Sequence, residues 1–428
     1  MIVVVDKVSV LVLTLSQFLG SLTITFAELL PLTPGFDRRT RIYLFHEHRR
    51  RFRFYSSPGL HDERRWDFQL VPAAEHVSNV FLGPATQVAC YSRLDNSLVK
   101  YDKTLLRRFR WPAPGRNLTI GAKHYAAQDP YRLHEPVRVD HMLEACLEHG
   151  NHYSWLKSDV IATCEALSKV IRGVGQFNVS YISGKLYLES HAWKRKRSTI
   201  ESYVGGYGFR RAATQLCDPN MLEAFSTPKD PVGVNVFNTV ITRTLGGLQL
   251  LTAGEIHCVQ DDRSGHPNRY IELRCKKDGR EPQKLAEDLK KWRVRCHLLG
   301  IPVIFFGFRK QEILSEGRFL GVAQMNELIG RSTTEGQLPW DVEDVFDCGF
   351  RVLCRLREYC QVADDWRVAI NDSKMDRIWR VHMCRSKMGF YIRELTREER
   401  VTLRGDKARI GIVPQRLYDT LRARSAIY

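Results

Sequence analysis

Two short segments hold the residue types best suited to chemistry: Gly254-Glu255-Ile256-His257 and Ile271-Glu272-Leu273-Arg274. Side chains alternate along a strand, so Glu255 and His257 share one face, as do Glu272 and Arg274. The run Leu248–Val259 is expected to pair with Arg269–Cys275 across the turn-rich Gln260–Asn268, which would bring the four groups together. A nuclease that holds divalent cations sets Glu-apolar-Asp on one strand beside Glu-apolar-Lys on the next. The carboxylates serve as hard oxygen ligands, and the lysine orients the scissile phosphate. Here His257 and Arg274 stand where that pattern has Asp and Lys. The frame is present with an altered ligand set.

The elements that must carry this pair read as a mixed α/β domain. The spacing of Ile161, Leu167, Val170 and Ile171 predicts a helix over Val160–Ile171. Val179–Ile182 and Lys185–Glu189 alternate around Ser183-Gly184 as a hairpin. Further segments are Tyr203–Ala213, Val234–Leu245, the amphipathic helix Pro282–Leu299 stopped by Gly300, the apolar strand Val303–Phe308, and a helix over Val342–Cys360. From Thr86 onward there are neither repeats nor low-complexity tracts. The expectation is an N-terminal extension over residues 1–85, and one compact domain of mixed β-sheets flanked by helices over 86–428.

The chain has 428 residues, 43% of them hydrophobic, enough for a sizeable core and too many for a disordered chain. Its formal net charge of +17 favours an anionic partner. Basic residues interleave with aromatic ones in His48–Phe54, Arg107-Arg108-Phe109-Arg110-Trp111 and Lys290-Lys291-Trp292-Arg293, and Lys194–Arg197 is a purely basic run. Each is either a solvated face or a contact with RNA, and Lys194–Arg197 also fits a nuclear-import run. Eleven cysteines without a CxxC pair indicate neither a disulfide framework nor a zinc ribbon. Against an intracellular reading stand sequons at Asn117 and Asn178 and the apolar stretch Val8–Ala27. That stretch is read as an ordinary buried segment or a wrongly assigned start; a signal or anchor is the competing reading, weakened by Asp6 and by the polar residues within the stretch.

Several runs occur together in order and spacing: Leu250-Leu251-x-x-Gly254-Glu255-Ile256, Tyr270-Ile271-Glu272-Leu273, Lys291-Trp292, and Gly300-Ile301-Pro302 leading into Gly307-Phe308-Arg309. Weaker agreement comes from Arg243-x-x-Gly246, Gly206-Tyr207-x-Phe209, Gly184–Glu189 and Leu147-Glu148-His149. By these runs the chain resembles the decapping exoribonuclease (DXO) family of RNA 5′-end nucleases, from about Thr86 to the C-terminus. The resemblance implies a metal-dependent site and shows where this chain departs from it. Cys164 replaces an arginine, Arg210 the glutamate of Gly-Tyr-x-Phe-Glu, His257 the aspartate, Arg274 the lysine, and Arg295 a glutamine. Only Glu255 and Glu272 remain as residual metal candidates.

The family pattern sets four carboxylates against one Lys and one Arg, a sum that calls for divalent cations. Here Glu255 and Glu272 face Arg210, Arg274 and Arg295, so the sign reverses with His257 neutral. At roughly 4 Å and an effective dielectric near 20, each added like charge opposes a cation by about 4 kcal/mol per unit charge. The expectation is a site without catalytic residues, cofactor or metal, in which the three arginines hold an RNA phosphate or pair with the two glutamates. His257 is read as a hydrogen-bonded strand residue before a ligand, and Cys164 as a buried small side chain before a nucleophile. The losses resemble those of the degenerate, Cutoff-like members of the family. That resemblance implies a nuclear pseudoenzyme that shields uncapped, single-stranded 5′ ends of nascent germline transcripts at piRNA-source loci. Its implied partners are the chromatin factors Rhino and Deadlock, or a 5′-to-3′ exoribonuclease, with no membrane. The alternative is an active Mg²⁺- or Mn²⁺-dependent decapping hydrolase and 5′–3′ exoribonuclease.

Overall fold

The computed structural model describes residues 80–94, 98–120, 138–191, 203–217, 235–261, 267–279, 281–331, 340–368, 377–384, 389–405 and 408–425, with Ala122 and the strands Ile2–Asp6, Ser9–Leu13 and Arg65–Gln69. The chain divides into two units, 1–55 and 56–428. In the first, Ile2–Asp6 pairs antiparallel with Ser9–Leu13. The remainder of the apolar stretch to Ala27, the cluster His48–Phe54 and the run Lys194–Arg197 lie outside the described residues.

The second unit holds a ten-stranded and a six-stranded sheet. At the centre of the larger, Leu248–Ile256 pairs antiparallel with Val236–Leu245 and parallel with Val160–Thr163. The smaller runs Thr214–Leu216, Arg107–Phe109, Cys258–Val259, Tyr270–Lys277, Val303–Lys310 and, at its edge, Ile313–Gly321. One apolar core draws on both sheets and the helices against them: Leu250 and Ile256 from the larger, Tyr270, Ile304 and Phe306 from the smaller, Leu167 and Leu299 from helices. Burying each such side chain contributes about 1.5–3 kcal/mol.

Two expectations are corrected. Val160–Ile171 is not one helix: Val160–Thr163 is a strand and Cys164–Ile171 the helix. A buried Val-Ile-Ala-Thr run between two parallel neighbours extends because the ladder uses both edges of its backbone. Thr163 then caps the helix, its Oγ1 accepting from Ala166 N–H at 3.3 Å. Nor does Leu248–Val259 pair as one strand with Arg269–Cys275. It breaks at His257, Leu248–Ile256 staying in the larger sheet while only Cys258 and Val259 pair with Ile271 and Tyr270.

Other elements match their expected bounds closely. Pro282–Leu299 starts with Pro at its first position and ends at Gly300 with φ 70°, the left-handed cap that glycine adopts without strain. The last long helix continues past Cys360 to Val368.

Candidate functional site

His257 is the step between the sheets, and that step builds the site. Glu255 stands near the end of the larger sheet, Glu272 stands on the smaller one, and the helix Pro282–Leu299 passes both. Close passage is possible because Gly254 precedes Glu255: a Cβ there would sit 2.7 Å from Leu299 Cδ1 and 3.1 Å from Cys164 Cβ. A second close approach sets Arg210. The π-helical turn Val204–Gly208 brings Gly208 against the Leu118 carbonyl, where a Cβ would lie at 2.1 Å, and Arg210 follows on the short helix Phe209–Ala213.

The structure brings Cys164, Arg210, Glu255, His257, Glu272, Arg274 and Arg295 together at this junction. Arg210 donates to Glu255 Oε1 and lies over the Tyr207 ring, 5.3 Å from its centroid. Arg274 donates to Glu272 Oε1 and lies 5.2 Å over the Trp292 ring. Arg295 is spent on the protein through all three nitrogens. Its Nε donates to Glu272 Oε1 at 3.2 Å, its Nη2 to the Glu255 main-chain carbonyl, and its Nη1 stands 4.0 Å from Cys164 Sγ.

The electrostatics follow from this pairing. Burial alone would raise the Glu255 carboxyl, but Arg210 opposes it, with Arg295 adding to the effect, and the pKa falls to about 2. Glu272 is likewise lowered against burial by Arg274, Arg295 and Arg210. Burial lowers the Arg274 pKa against the pull of Glu272, and the positive charges of Arg295 and Arg210 add to the lowering. Burial, followed by Arg210, holds His257 well below its usual value, so its ring is neutral. Cys164 is pushed up to about 11 by burial, which removes it as a thiolate nucleophile.

This donor set does not fit a divalent cation. His257 Nδ1 accepts from the Leu273 N–H at 2.9 Å, so that lone pair is engaged. The Glu272 Oε2 atom 3.3 Å from the same nitrogen therefore gains no hydrogen bond there and is buried without a hydrogen-bond partner. Its other oxygen is taken by two guanidinium groups, and Glu255 by a third. Among the described residues no three His, Cys, Asp or Glu side chains gather as a metal-ligand group.

Beside Arg210 opens a small cleft lined in part by Arg107, Tyr207, Arg210, Arg211, Glu255 and His257. Arg107 lies in a basic run already apparent in the sequence; Arg211 and Tyr207 as lining residues are new. Their only sequence signal was adjacency to Arg210 and to the Gly206-Tyr207 motif. Of the run Lys290–Arg293, Lys290 pairs with Glu287 at 2.9 Å, and Trp292 and Arg293 are buried. The sequon residue Asn178 is buried in a central strand.

Residues 84–415 match the RAI1-like PD-(D/E)XK nuclease family. The chain is similar to the decapping and exoribonuclease proteins of Rattus norvegicus and Mus musculus, 25% identical to each over 276 residues, 56% of this chain and 68% of theirs. Among solved structures it resembles S. pombe Rai1 in complex with 3′-FADP, with 17% identity and a TM-score of 0.59 over 76% of this chain and 97% of that one. It also resembles Candida albicans Rai1 in complex with pU5-Mn²⁺, with 18% identity and a TM-score of 0.62 over 83% and 99%. Those TM-scores establish a shared fold, and the family match spans most of the chain. By fold and by family match, the chain belongs to the RAI1-like PD-(D/E)XK nucleases.

Proposed function

We propose that this chain is a nuclear RNA-binding member of its family that holds uncapped 5′ ends without cutting them. The observation that carries the reading is the pairing of Arg210, Arg274 and Arg295 with Glu255 and Glu272. Three guanidinium groups against two carboxylates leave a positive site where a cation-binding nuclease needs a negative one. Arg295 acts as a brace, its nitrogens all turned to protein atoms. Arg210 and Arg274 are each partly exposed, at 22% and 25% of their side chains, and supply the charge-assisted donors for a terminal phosphate.

The relative from Candida albicans is named with pU5, a 5′-phosphorylated single strand, which is the ligand class assigned here. The net charge of +17 supports the same partner. We extend the reading to the Cutoff-like role: shielding nascent transcripts at piRNA-source loci in the germline nucleus, alongside Rhino and Deadlock, with a 5′-to-3′ exoribonuclease as the alternative associate.

The test is binding of 5′-monophosphate against 5′-hydroxyl RNA, with a cleavage assay in Mn²⁺ on the same samples. Preferential binding of the phosphorylated end without cleavage supports the proposal. Cleavage or decapping that Glu255→Gln abolishes would replace it with the active metal-dependent hydrolase.

A further inference from the structure

The basic and aromatic run Arg107–Trp111 begins in the cleft and ends outside it. Phe109 and Trp111 join Phe305 and Phe319 in an aromatic cluster of the six-stranded sheet, with centroids 4.8 to 6.1 Å apart. Phe305 is fully buried beneath it, stacked on Phe209 at an interplanar angle of 3°. Trp111 is 55% exposed and Phe319 37%. A tryptophan that exposed gives up much of the stabilisation its burial would bring.

Its position is nevertheless rigid. The Arg110 N–H donates to the Ala213 carbonyl at 2.8 Å. Pro112 follows Trp111 and restricts it to extended backbone. Beyond it, Gly115 N–H donates to the Leu314 carbonyl at 2.7 Å and Leu118 N–H to the Glu312 carbonyl at 2.9 Å, pinning the segment to the sheet edge. Three rings touch the indole, at interplanar angles of 87°, 67° and 64°. None of these lies parallel to it, so none of these rings takes the stacked geometry that a nucleobase adopts on an aromatic side chain.

We infer that Trp111, supported by Phe109, Phe305 and Phe319, is a base-stacking subsite for single-stranded RNA whose 5′ end sits in the Arg210 cleft. The inference rests on the RNA-end reading and adds a second contact to it. Three observations favour RNA over an apolar protein partner. Arg110 is exposed next to Trp111 in the chain, and it offers charge to a backbone of phosphates. Arg107 lines the cleft, and four residues of extended chain, about 13 Å, separate it from Trp111. The short helix Phe209–Ala213 ties the two places together, since Arg210 faces the cleft while Phe209 stacks under the cluster.

The experiment compares 5′-phosphorylated oligoadenylates of two and eight nucleotides on the full chain, wild type against Trp111→Ala, Trp111→Leu and Trp111→Phe. Trp111→Leu keeps apolar contact with the cluster and removes the aromatic face. The expected result is that Trp111→Ala and Trp111→Leu weaken the octamer about tenfold or more, the range of one stacked base, while the dimer binds as before. Trp111→Phe should retain most of the octamer affinity. An octamer that binds wild type and Trp111→Leu equally overturns the subsite and leaves the RNA-end reading standing. Failure of the wild type to bind either oligonucleotide overturns both. Self-association of the wild type that Trp111→Leu abolishes in sedimentation would assign this face to a second copy, and would also overturn the subsite.

Discussion

The Glu272 side chain has no exposed surface, and its Oε1 lies 3.2 Å from Arg295 Nε on the neighbouring helix. Two sheets and a helix are tied at that contact, because the same guanidinium also donates to the Glu255 carbonyl. Arg295→Leu should therefore cost about 3–5 kcal/mol, the usual loss when one partner of a buried pair is removed. Urea denaturation measures it. A neutral Arg295→Leu would remove the bracing role.

Arg274 should behave differently, although it contacts the same carboxylate oxygen. Its removal leaves Glu272 with Arg295, and a quarter of its side chain is exposed. Arg274→Ala is expected to weaken 5′-monophosphate RNA about tenfold, roughly 1.4 kcal/mol, with 5′-hydroxyl RNA nearly unchanged. Equal loss for both RNAs together with a lowered melting temperature would mean that the glutamates consume the arginines as internal ion pairs and that the pocket does not grip the phosphate.

Catalysis provides the third expectation. Purified chain should neither cleave nor decap RNA above background in Mg²⁺ or Mn²⁺, since each remaining carboxylate is engaged by guanidinium groups and the His257 lone pair by Leu273. Robust turnover that disappears in Glu255→Gln is the outcome that would sink this.

How much of this was legible in the sequence depends on the kind of signal. Period-two alternation places Glu272 and Arg274 on one face, and the helix Pro282–Leu299 is readable because Pro and Gly mark its ends. The convergence of Glu255 and Glu272 follows from the sequence pattern, but its cause does not. Alternation says which face a side chain takes and nothing about which sheet its strand joins, so the break at His257 is invisible to it. Val160–Thr163 reads wrongly as helix because a short apolar run fits a helical stripe as well as a buried strand. Arg107 and Arg211 reach one cleft through pairing between Arg107–Phe109 and Thr214–Leu216, a contact about a hundred residues apart that local patterns do not encode.

Acid should weaken the junction in a defined window. Both site carboxyls have lowered pKa values, Glu255 near 2 and Glu272 below its usual range. Groups lowered in the folded state contribute stability that is complete above the unfolded value near 4.5 and is lost as pH falls through the folded one. Glu255→Gln should therefore flatten the stability profile between about pH 4.5 and 2. Parallel profiles for wild type and variant would contradict the pairing with Arg210.

Glu189, which does not line the cleft, should show the opposite sign at higher pH. It is 3% exposed, and its Oε1 accepts from the Val139 N–H at 2.9 Å. Neighbouring Asp140 is already held by Arg409, whose Nη1 donates to Oδ1 at 2.9 Å. Burial, and then the negative charge of Asp140, raise the Glu189 pKa to about 7. The folded chain thus keeps a proton that the unfolded chain releases near pH 4.5, so this group's contribution to stability declines as pH rises from about 4.5 to 7 and levels off above. Glu189→Gln keeps an acceptor for Val139 and cannot ionise. It should match wild type near pH 4.5 and exceed it at pH 8 by up to about 3 kcal/mol, because retaining the proton costs about 1.4 kcal/mol for each pH unit across that interval. Urea midpoints at pH 4.5, 6 and 8 measure this. A variant that is destabilised equally at all three would show that Glu189 is ionised in the fold and held by Arg409 or Arg138 instead.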